Sequence, residues 1–517
     1  MANTEDLKTL VEKSFNFQGP SIVLGTAKLN DAILENTLVK APLRMFNRHG
    51  LIAGATGTGK TKTLQNLAEK LSANGVPTLL MDIKGDLSGI SQAGTINPKI
   101  EERHSKIGVE WKSAGFPTEL LSISAEKGVR MRATISEFGP VLLSKILELN
   151  DVQSGVVSII FKYCDDKKMP LLDIKDFRKV CQYFQSDEGR NEIEKEYGLV
   201  SSSSVGAIMR NILEVEQQGA DVFFGERSFE VNDLLRRDSN GNGYCNILRL
   251  TDIQAKPALF STFMLCLLAE IYETFPERGD MDKPQLCIFI DEAHLIFDEA
   301  SKSLLNQITT IVKLIRSKGV GLFFITQDPT DVPDEVLGQL GMKMQHALRA
   351  FTEKDRKAIK TIAENFPPSD FYKTSDLLTA LGIGEALVTV LDEKGIPTPL
   401  VHAYLTAPQS RMDVISAEEQ DALVRNSELV AKYNDEIDRE SAFEMLTQKL
   451  EGHTRRQEEG REEEEEKPER RNPNEKSTVE KVMNSSVTKI IVREVARGLL
   501  GVLGIKSSSR RKSNSWF

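Results

Sequence analysis

A glycine-rich segment that ends in a lysine and a threonine carries the strongest chemical signal in the chain. Residues 54–61 read Gly-Ala-Thr-Gly-Thr-Gly-Lys-Thr and match G-x-x-x-x-G-K-[ST] at every defined position. Glycines let backbone N–H groups surround phosphate oxygens, Lys60 reaches the outer phosphates, and the Thr61 hydroxyl binds Mg²⁺. The segment therefore predicts a site for ATP with Mg²⁺. The predicted nucleotide contacts here are Gly54, Ala55, Thr56, Gly57, Thr58, Gly59, Lys60, Thr61 and Lys62.

Two other interpretations of this segment are a chance glycine-rich turn and a dinucleotide-binding turn. The glycine spacing and Asp82, which ends the next predicted strand, would suit a dinucleotide with its ribose on the acid. Lys60 and Thr61 decide against it, because a lysine and a threonine that open the helix have no place in a dinucleotide fingerprint.

Two adjacent carboxylates follow a strongly apolar run. Residues 286–290 read Leu-Cys-Ile-Phe-Ile and precede Asp291 and Glu292. In this Walker B arrangement Asp291 would hold Mg²⁺ through water, and Glu292 would polarise the attacking water as general base. The alternative is ordinary loop chemistry at a strand end. His294 completes Asp-Glu-Ala-His, which is too short to identify a helicase class, and we interpret it as a structural histidine.

A glutamine and two arginines complete the candidate catalytic set. Gln327 ends the next apolar run, where its amide can sense the γ-phosphate or orient the water, or simply cap the strand. Arg316 precedes that strand and Arg349 lies in the predicted strand after it. Either could be an arginine finger that reaches a neighbour's ATP, or an ordinary surface or ion-pairing residue.

The elements around these residues predict an α/β fold. Strand, loop, helix and strand succeed one another from residue 50 to residue 82, which is the start of a parallel sheet. The glutamate of one strand and the glutamine of the next indicate a RecA-like P-loop core with a mostly parallel sheet. Further strands are predicted at 119–124, 131–135, 246–250, 285–290, 319–326 and 342–350, and a terminal hairpin at 385–391 and 398–405.

Composition excludes several classes of protein. The 517 residues carry a net charge of −10, which argues against a uniformly basic nucleic-acid binder but not against a local basic channel. Five cysteines without C-x-x-C spacing are typical of reduced core thiols in a cytoplasm. The acidic start of the chain and its longest uncharged run, 257–269, predict neither a secretory signal nor a transmembrane segment.

The chain divides by composition into six regions. Residues 458–471 hold eight acids and four bases and cannot bury enough apolar surface to fold alone. The predicted regions are an N-terminal lead-in (1–49), the first part of the ATPase core (50–138), a helical insertion (139–243), the second part of the core (244–410), a charged helical and disordered linker (411–475) and a basic amphipathic C-terminal helix (476–517).

The motifs together resemble those of the HerA-like ATPases of the HerA–FtsK superfamily, in particular the YjgR-type helicases. The resemblance covers roughly residues 20–410. The strings that carry it are 54–61, 81–89, 147–151, 288–294, 316–329 and 384–388.

The resemblance implies a hexameric ring with ATP between subunits and DNA threaded through the centre. On that template Arg316 corresponds to a trans arginine finger, Arg48 to a second arginine ahead of the P-loop strand, and Asp82 to an acidic residue near the nucleotide. HerA proteins carry a β-barrel domain ahead of the core, and the 49-residue lead-in is too short for one. A nuclease that docks on the barrel is therefore not implied.

Two functions follow as hypotheses. The first is an Mg-ATP-driven homo-oligomeric motor that translocates DNA. The second is an ATP-gated assembly protein that binds a protein partner through its charged C-terminal region, without DNA translocation. The basic segment at 476–517 could itself lie on an anionic membrane or on DNA, or pack on its own core.

Overall fold

The computed structural model describes residues 3–252, 257–279, 281–297, 302–435, 437 and 439–452. The chain forms two units, one from the described residues of 1–132 and 227–436 and the other from those of 133–226 and 437–517. The predicted linker beyond residue 452 and the predicted C-terminal helix at 476–517 lie outside the described residues.

Twelve strands among the described residues form one sheet in the first unit. They are β1 (Ser21–Leu29), β2 (Ala32–Pro42), β3 (Gly50–Ala53), β4 (Thr78–Asp82), β5 (Thr118–Ser122), β6 (Val129–Arg130), β7 (Cys245–Arg249), β8 (Leu286–Ile290), β9 (Val320–Thr326), β10 (Met342–Gln345), β11 (Glu385–Thr389) and β12 (Val401–Leu405). Their order across the sheet is β2-β1-β12-β11-β10-β3-β9-β8-β4-β7-β5-β6.

The half of the sheet from β10 to β6 is parallel. Every residue of β3, β4, β8 and β9 is buried, as expected for strands that are covered on both faces. The strand that precedes the glycine-rich loop, β3, pairs with β9, and β9 pairs with β8. These pairings confirm the predicted α/β fold with a mostly parallel sheet.

The other half, from β2 to β11, is antiparallel. It contains the strands that come first and last along the chain. The lead-in at 1–49 forms a helix, the β1–β2 ribbon and a 3₁₀ helix, Leu43–Arg48. Strand β1 pairs with β12, and β11 with β12 forms the predicted terminal hairpin.

The helices described in the first unit flank this sheet. They are α1 (Thr4–Ser14), α2 (Lys60–Ala73), α3 (Pro98–Ile107), α10 (Pro257–Thr274), α11 (His294–Phe297), α12 (Lys302–Ile315), α13 (Asp334–Leu337), α14 (Glu353–Glu364), α15 (Thr374–Ala380), α16 (Ala417–Arg425) and α17 (Glu428–Tyr433). Apolar side chains of α2, including Leu64 and Leu67, share one core with Phe289 and Phe323 of the central strands. Within the described residues, no helix is long and apolar enough to cross a membrane.

The second unit is helical. The helices described within residues 133–226 are α4 (Ile135–Ile146), α5 (Asp151–Lys167), α6 (Ile174–Gln185), α7 (Asp187–Tyr197), α8 (Ser202–Gln217) and α9 (Ala220–Phe223). Reciprocal side-chain and backbone hydrogen bonds start three of them, with Thr134, Asn150 and Asp173 as the capping residues. The first segment of this unit runs from residue 133 to residue 226, whereas composition predicts the insertion at 139–243.

Of two predicted strands, the one at 131–135 does not form, and the one at 342–350 is shorter than predicted. Residues 131–135 lie after the two-residue β6, and α4 begins at Ile135, because the capping box of Thr134 starts a helix there. Strand β10 ends at Gln345, and residues 346–350 form a loop. Apolar composition alone does not show where backbone pairing stops.

Candidate functional site

The glycine-rich loop leaves β3 and opens α2 at the carboxyl edge of the parallel strands. Gly54, Gly57 and Gly59 all have positive φ angles, of 151°, 78° and 111°. A Cβ atom on Gly54 would lie 2.5 Å from the Cβ of His346, so a side chain there meets a buried wall. The backbone of this loop therefore has the shape that the sequence pattern predicts, and glycine is required for it.

Lys60 is the first residue of α2, and its ammonium group folds back over the loop. Its Nζ donates to the carbonyl of Gly54 at 2.5 Å and to that of Ala55 at 3.1 Å. Burial lowers the pKa of Lys60, and the positive charge of Lys84 lowers it further. Thr61, the predicted Mg²⁺ ligand, follows in the first turn of α2 and is half-buried.

Asp291 and Glu292 follow β8 and are both buried. Burial raises the pKa of Asp291 to about 6. Burial also opposes the ionisation of Glu292, but a hydrogen bond and the charge from Lys84 outweigh it and lower the pKa of that carboxyl. Glu292 has a φ angle of 47°, a backbone conformation that is uncommon for a non-glycine residue and is often found at functional sites.

Gln327, at the tip of β9, connects the loop to the acidic pair. Its Nε2 lies 3.5 Å from Oε1 of Glu292, and its Oε1 accepts a hydrogen bond of 3.0 Å from the hydroxyl of Thr56. The sheet order places β9 between the strands of the two motifs, so one amide touches both. His294 also contacts the pair, with Nδ1 3.3 Å from Oε2 of Glu292.

Lys84 is a member of this site that the sequence analysis did not single out. Its Nζ lies 2.5 Å from Oε1 of Glu292 and 3.7 Å from Oδ2 of Asp291. Burial would lower the pKa of Lys84, but the nearby charges of Asp291 and Glu292 raise it. The available signal was its position just after β4, which becomes informative only once β4 is known to pair with β8.

Asp82 ends β4 and holds the loop that carries Lys84. Its carboxylate accepts backbone hydrogen bonds from Gly85, Asp86 and Leu87, at 2.8, 3.1 and 3.2 Å. Burial and the charge of Asp86 raise its pKa to about 6. Through these contacts Asp82 stabilises the backbone of this loop. Its closeness to the nucleotide stays a prediction.

Arg48 and Arg316 lie at the opposite, amino edge of the sheet. Arg48 ends the 3₁₀ helix before β3, and Arg316 begins the 3₁₀ turn before β9. Between them His49 is buried, with Nε2 2.8 Å from the carbonyl of Val312 and Nδ1 accepting from the N–H of Leu322 at 3.0 Å. Burial lowers the pKa of His49 to about 4, and both arginine charges lower it further.

The remaining predicted residues lie at the carboxyl edge. Arg349 is exposed in the loop after β10, the same loop in which the carbonyl of Ala347 accepts the N–H of Ala55 at 2.8 Å. Lys62 donates to Oε1 of Gln65 at 3.1 Å and to the carbonyl of Met412. Its ammonium group is thus bonded to protein atoms of α2 and of the chain after β12.

A second loop closes on the glycine-rich segment from the β11 side. The N–H of Gly384 donates to the carbonyl of Thr58 at 3.1 Å. The guanidinium of Arg103 bonds the carbonyl of Gly384 at 3.1 Å and lies 4.0 Å from the ring centre of Tyr404. This loop was not predicted as part of the site, because it approaches only through the antiparallel pairing of β10 with β11.

The oxygen donors at the carboxyl edge fit Mg²⁺. A carboxylate and a hydroxyl, from Asp291 and Thr61, are hard ligands of the kind that Mg²⁺ takes together with phosphate oxygens and waters. Among the described residues, no group of three or more His, Cys, Asp or Glu side chains could hold a metal ion by itself. The donor set therefore suits an ion that arrives with its nucleotide.

Comparison with known proteins shows the family. The model of the family described as "Helicase HerA-like C-terminal" matches residues 28–508. The chain belongs to this family. It is a HerA-like P-loop ATPase, as the motifs indicated, and the YjgR-type subgroup stays a prediction.

Individual relatives are distant. The DNA double-strand break repair helicase HerA of Sulfolobus acidocaldarius is 22% identical over 369 residues, which are 70% of this chain and 66% of that protein. The DNA import protein CedB of the same organism is 23% identical over 363 residues, 69% of this chain and 52% of that protein. The chain thus spans just under two thirds of the HerA protein and about half of CedB.

The bacterial conjugative coupling protein TrwB is among the similar solved structures. It is 15% identical in sequence, and the match covers 79% of this chain and 94% of that chain with a TM-score of 0.49.

Proposed function

We propose that the protein is an Mg-ATP-driven ring motor that acts on DNA and hydrolyses ATP at its subunit interfaces. The observation that carries the proposal is the division of the predicted catalytic groups between two edges of one sheet. The phosphate loop, Asp291, Glu292 and Gln327 follow the carboxyl ends of their strands, while Arg48 and Arg316 precede the amino ends. The family and the names of the relatives support the choice of a DNA motor.

The carboxyl edge supplies phosphate binding and base catalysis. Loop N–H groups and Lys60 would bind the phosphates, and Thr61 and Asp291 would hold Mg²⁺, which shields phosphate charge when it is bound. Glu292 would take the proton of the attacking water, and Gln327 would fix that water's orientation because its amide already touches Glu292.

The amino edge supplies cations to a different subunit. The residues between Arg316 and Gln327 include all seven of β9, which at about 3.3 Å per residue span roughly 20 Å. That length is beyond the reach of one arginine side chain. Arg316 and Arg48 therefore serve the ATP of a neighbour in a homo-oligomer, with a hexamer as the expected ring.

DNA-stimulated hydrolysis tests the motor. We expect duplex or single-stranded DNA to raise the wild-type rate, and Glu292→Gln to lower kcat by about 10²–10⁴-fold while nucleotide still binds. DNA binding should weaken steeply with salt if phosphates are contacted. A rate that is indifferent to both forms of DNA contradicts a DNA motor.

A second candidate function is ATP-gated assembly on a protein partner. The helical unit favours it, because residues 133–226 hold sixteen acidic and ten basic side chains, which suits a protein better than DNA. Absence of DNA binding, or binding that does not change with salt, together with intact ATP hydrolysis, would support this function over the motor.

A further inference from the structure

Lys84 contacts the acidic pair, Asp291 and Glu292, although no sequence motif assigns it a role. Its ammonium forms the 2.5 Å ion pair with Glu292, the predicted general base. An ammonium bonded to one carboxylate oxygen blocks the approach of water to that oxygen. Oε1 of Glu292 can therefore accept a proton from water only after Lys84 moves away from it or shares its contact with another anion.

The loop around Lys84 has a fixed backbone. The three hydrogen bonds that Asp82 accepts hold residues 85–87, immediately after the lysine. Gly85 has a φ angle of 75°, and a Cβ atom there would lie 3.0 Å from Cγ2 of Thr251. The Cα position of Lys84 is thus set, and movement of its charge must come from the side chain.

The two members of the ion pair differ in their freedom. The Glu292 side chain is 7% exposed and its backbone has a positive φ angle, whereas the Lys84 side chain is 37% exposed. A lysine carries its charge on a flexible four-carbon stem with three donors. Lys84 is therefore the member that can change partner.

The charge balance at the site gives the direction of that change. Lys84 pairs with Glu292 and lies 3.7 Å from Asp291, and Lys60 is close enough to both carboxylates to interact with their charges. ATP with one Mg²⁺ adds about two net negative charges beside them, and this attraction is strong in a partly buried site. The outermost phosphoryl group carries most of the charge that ADP lacks.

We propose that Lys84 is a γ-phosphate-responsive positioning residue: it holds Glu292 without ATP and transfers its ammonium to the γ-phosphate when ATP binds, which frees the Glu292 carboxylate for water. This inference rests on the proposed ATPase function. Under this inference, Glu292 is free to act as general base only when the γ-phosphate is present.

A binding experiment in the Glu292→Gln protein tests the transfer. This background removes the carboxylate charge and slows hydrolysis, so ATP itself serves as the probe beside ADP, both with Mg²⁺. We expect Lys84→Ala in this background to weaken ATP binding about tenfold, the loss of one charge-assisted bond, and ADP binding less than twofold. Lys84→Arg should restore part of the preference for ATP.

Two results overturn the inference. If Lys84 only neutralises Glu292, its removal in the Glu292→Gln background leaves the ratio of ATP to ADP affinity unchanged. If Lys84 only supports the fold, both affinities fall together. Lys373→Ala is the matched control, since Lys373 is an exposed lysine that pairs with Asp376 on the surface. Failure of Glu292→Gln protein to bind either nucleotide would instead refute the proposed ATP site.

Discussion

The carboxyl and amino edges of the parallel sheet are built in different ways. At the carboxyl edge, polar side chains contact one another directly: Lys84 with Glu292, Glu292 with Gln327, and Gln327 with Thr56. At the amino edge, two arginines flank a buried neutral histidine that is bonded only to backbone groups. The side chains at the carboxyl edge can act chemically on a ligand, whereas the amino edge presents arginine cations from a rigid backbone support. The difference is consistent with the proposal that each subunit contributes two unlike halves of a shared site.

The largest expected effect comes from mixing subunits that carry different substitutions. The result can contradict the proposed division of roles between the two edges. Arg316→Ala should lower hydrolysis about 10³-fold or more, as for an arginine finger. Mixed with Glu292→Gln subunits, it should recover activity, because about one quarter of randomly formed interfaces pair an intact base with an intact arginine. The ATP hydrolysis rate of the exchanged mixture measures the recovery.

The matched control for mixing uses two changes at the same edge. Lys60→Ala and Glu292→Gln subunits both damage the carboxyl edge, so their mixture should stay inactive. Recovery in this control, or no recovery in the first mixture after confirmed subunit exchange, would show that the two edges do not serve different nucleotides.

A second prediction concerns the stability that His49 gives to the amino edge. His49→Ala removes two buried hydrogen bonds and leaves a cavity, so we expect a loss of about 2–4 kcal/mol in the free energy of unfolding. Chemical denaturation at pH 7 measures it. A loss below about 0.5 kcal/mol would mean that His49 does not hold the edge together.

The same variant has a pH signature with a defined sign. The pKa of His49 is about 4 in the folded chain against 6.5 for an ordinary histidine, so below pH 6.5 the unfolded chain takes up the proton first. The stabilisation is present above pH 6.5 and is lost as the pH falls toward 4. The advantage of wild type over His49→Ala should shrink by about 2 kcal/mol from pH 7 to pH 5. Phe46→Leu, on the 3₁₀ helix that precedes His49, should show no such change.

The smallest effect sharpens the description of the carboxyl edge. Gly384→Ala places a Cβ atom 3.0 Å from the Arg103 guanidinium at a φ angle of 72°, beside the hydrogen bond to Thr58. Gly395→Ala has a similar φ angle of 80° but no atom within 4 Å, so it carries only the backbone cost of about 1–2 kcal/mol. We expect ATP affinity to fall several-fold for the first variant alone. Equal affinities would separate this loop from nucleotide binding.

The sequence was most informative where the chemistry is contiguous. The phosphate loop and the acidic pair each occupy one short segment, so residue type and spacing predicted both, and the structure places each at the end of its strand. The adjacency of Glu292 and Gln327 was also predictable, because parallel strands end at one edge.

Features that depend on pairing between distant segments were not predictable in the same way. Lys84 follows β4 and reaches Glu292 because β4 pairs with β8 in the sheet. Gly384 reaches Thr58 through the antiparallel pairing of β10 with β11, which composition does not reveal. The apolar neighbours of Arg349 predict a strand, but the ladder of paired residues between β10 and β3 ends at Gln345. Burial without backbone pairing gives the same sequence pattern as a strand.

The pairing of β1 with β12 has a consequence for synthesis of the chain. Gly25 lies opposite Leu405, so 380 residues separate partners in neighbouring strands. At about 5–20 residues per second, a ribosome needs on the order of 20–80 s to make the second partner after the first. The phosphate-loop strand β3 likewise lacks both neighbours until residues 320–345 exist. The nucleotide site therefore forms late, when most of the chain has already left the ribosome, and chaperones have a long interval in which to bind the nascent β1–β2 ribbon.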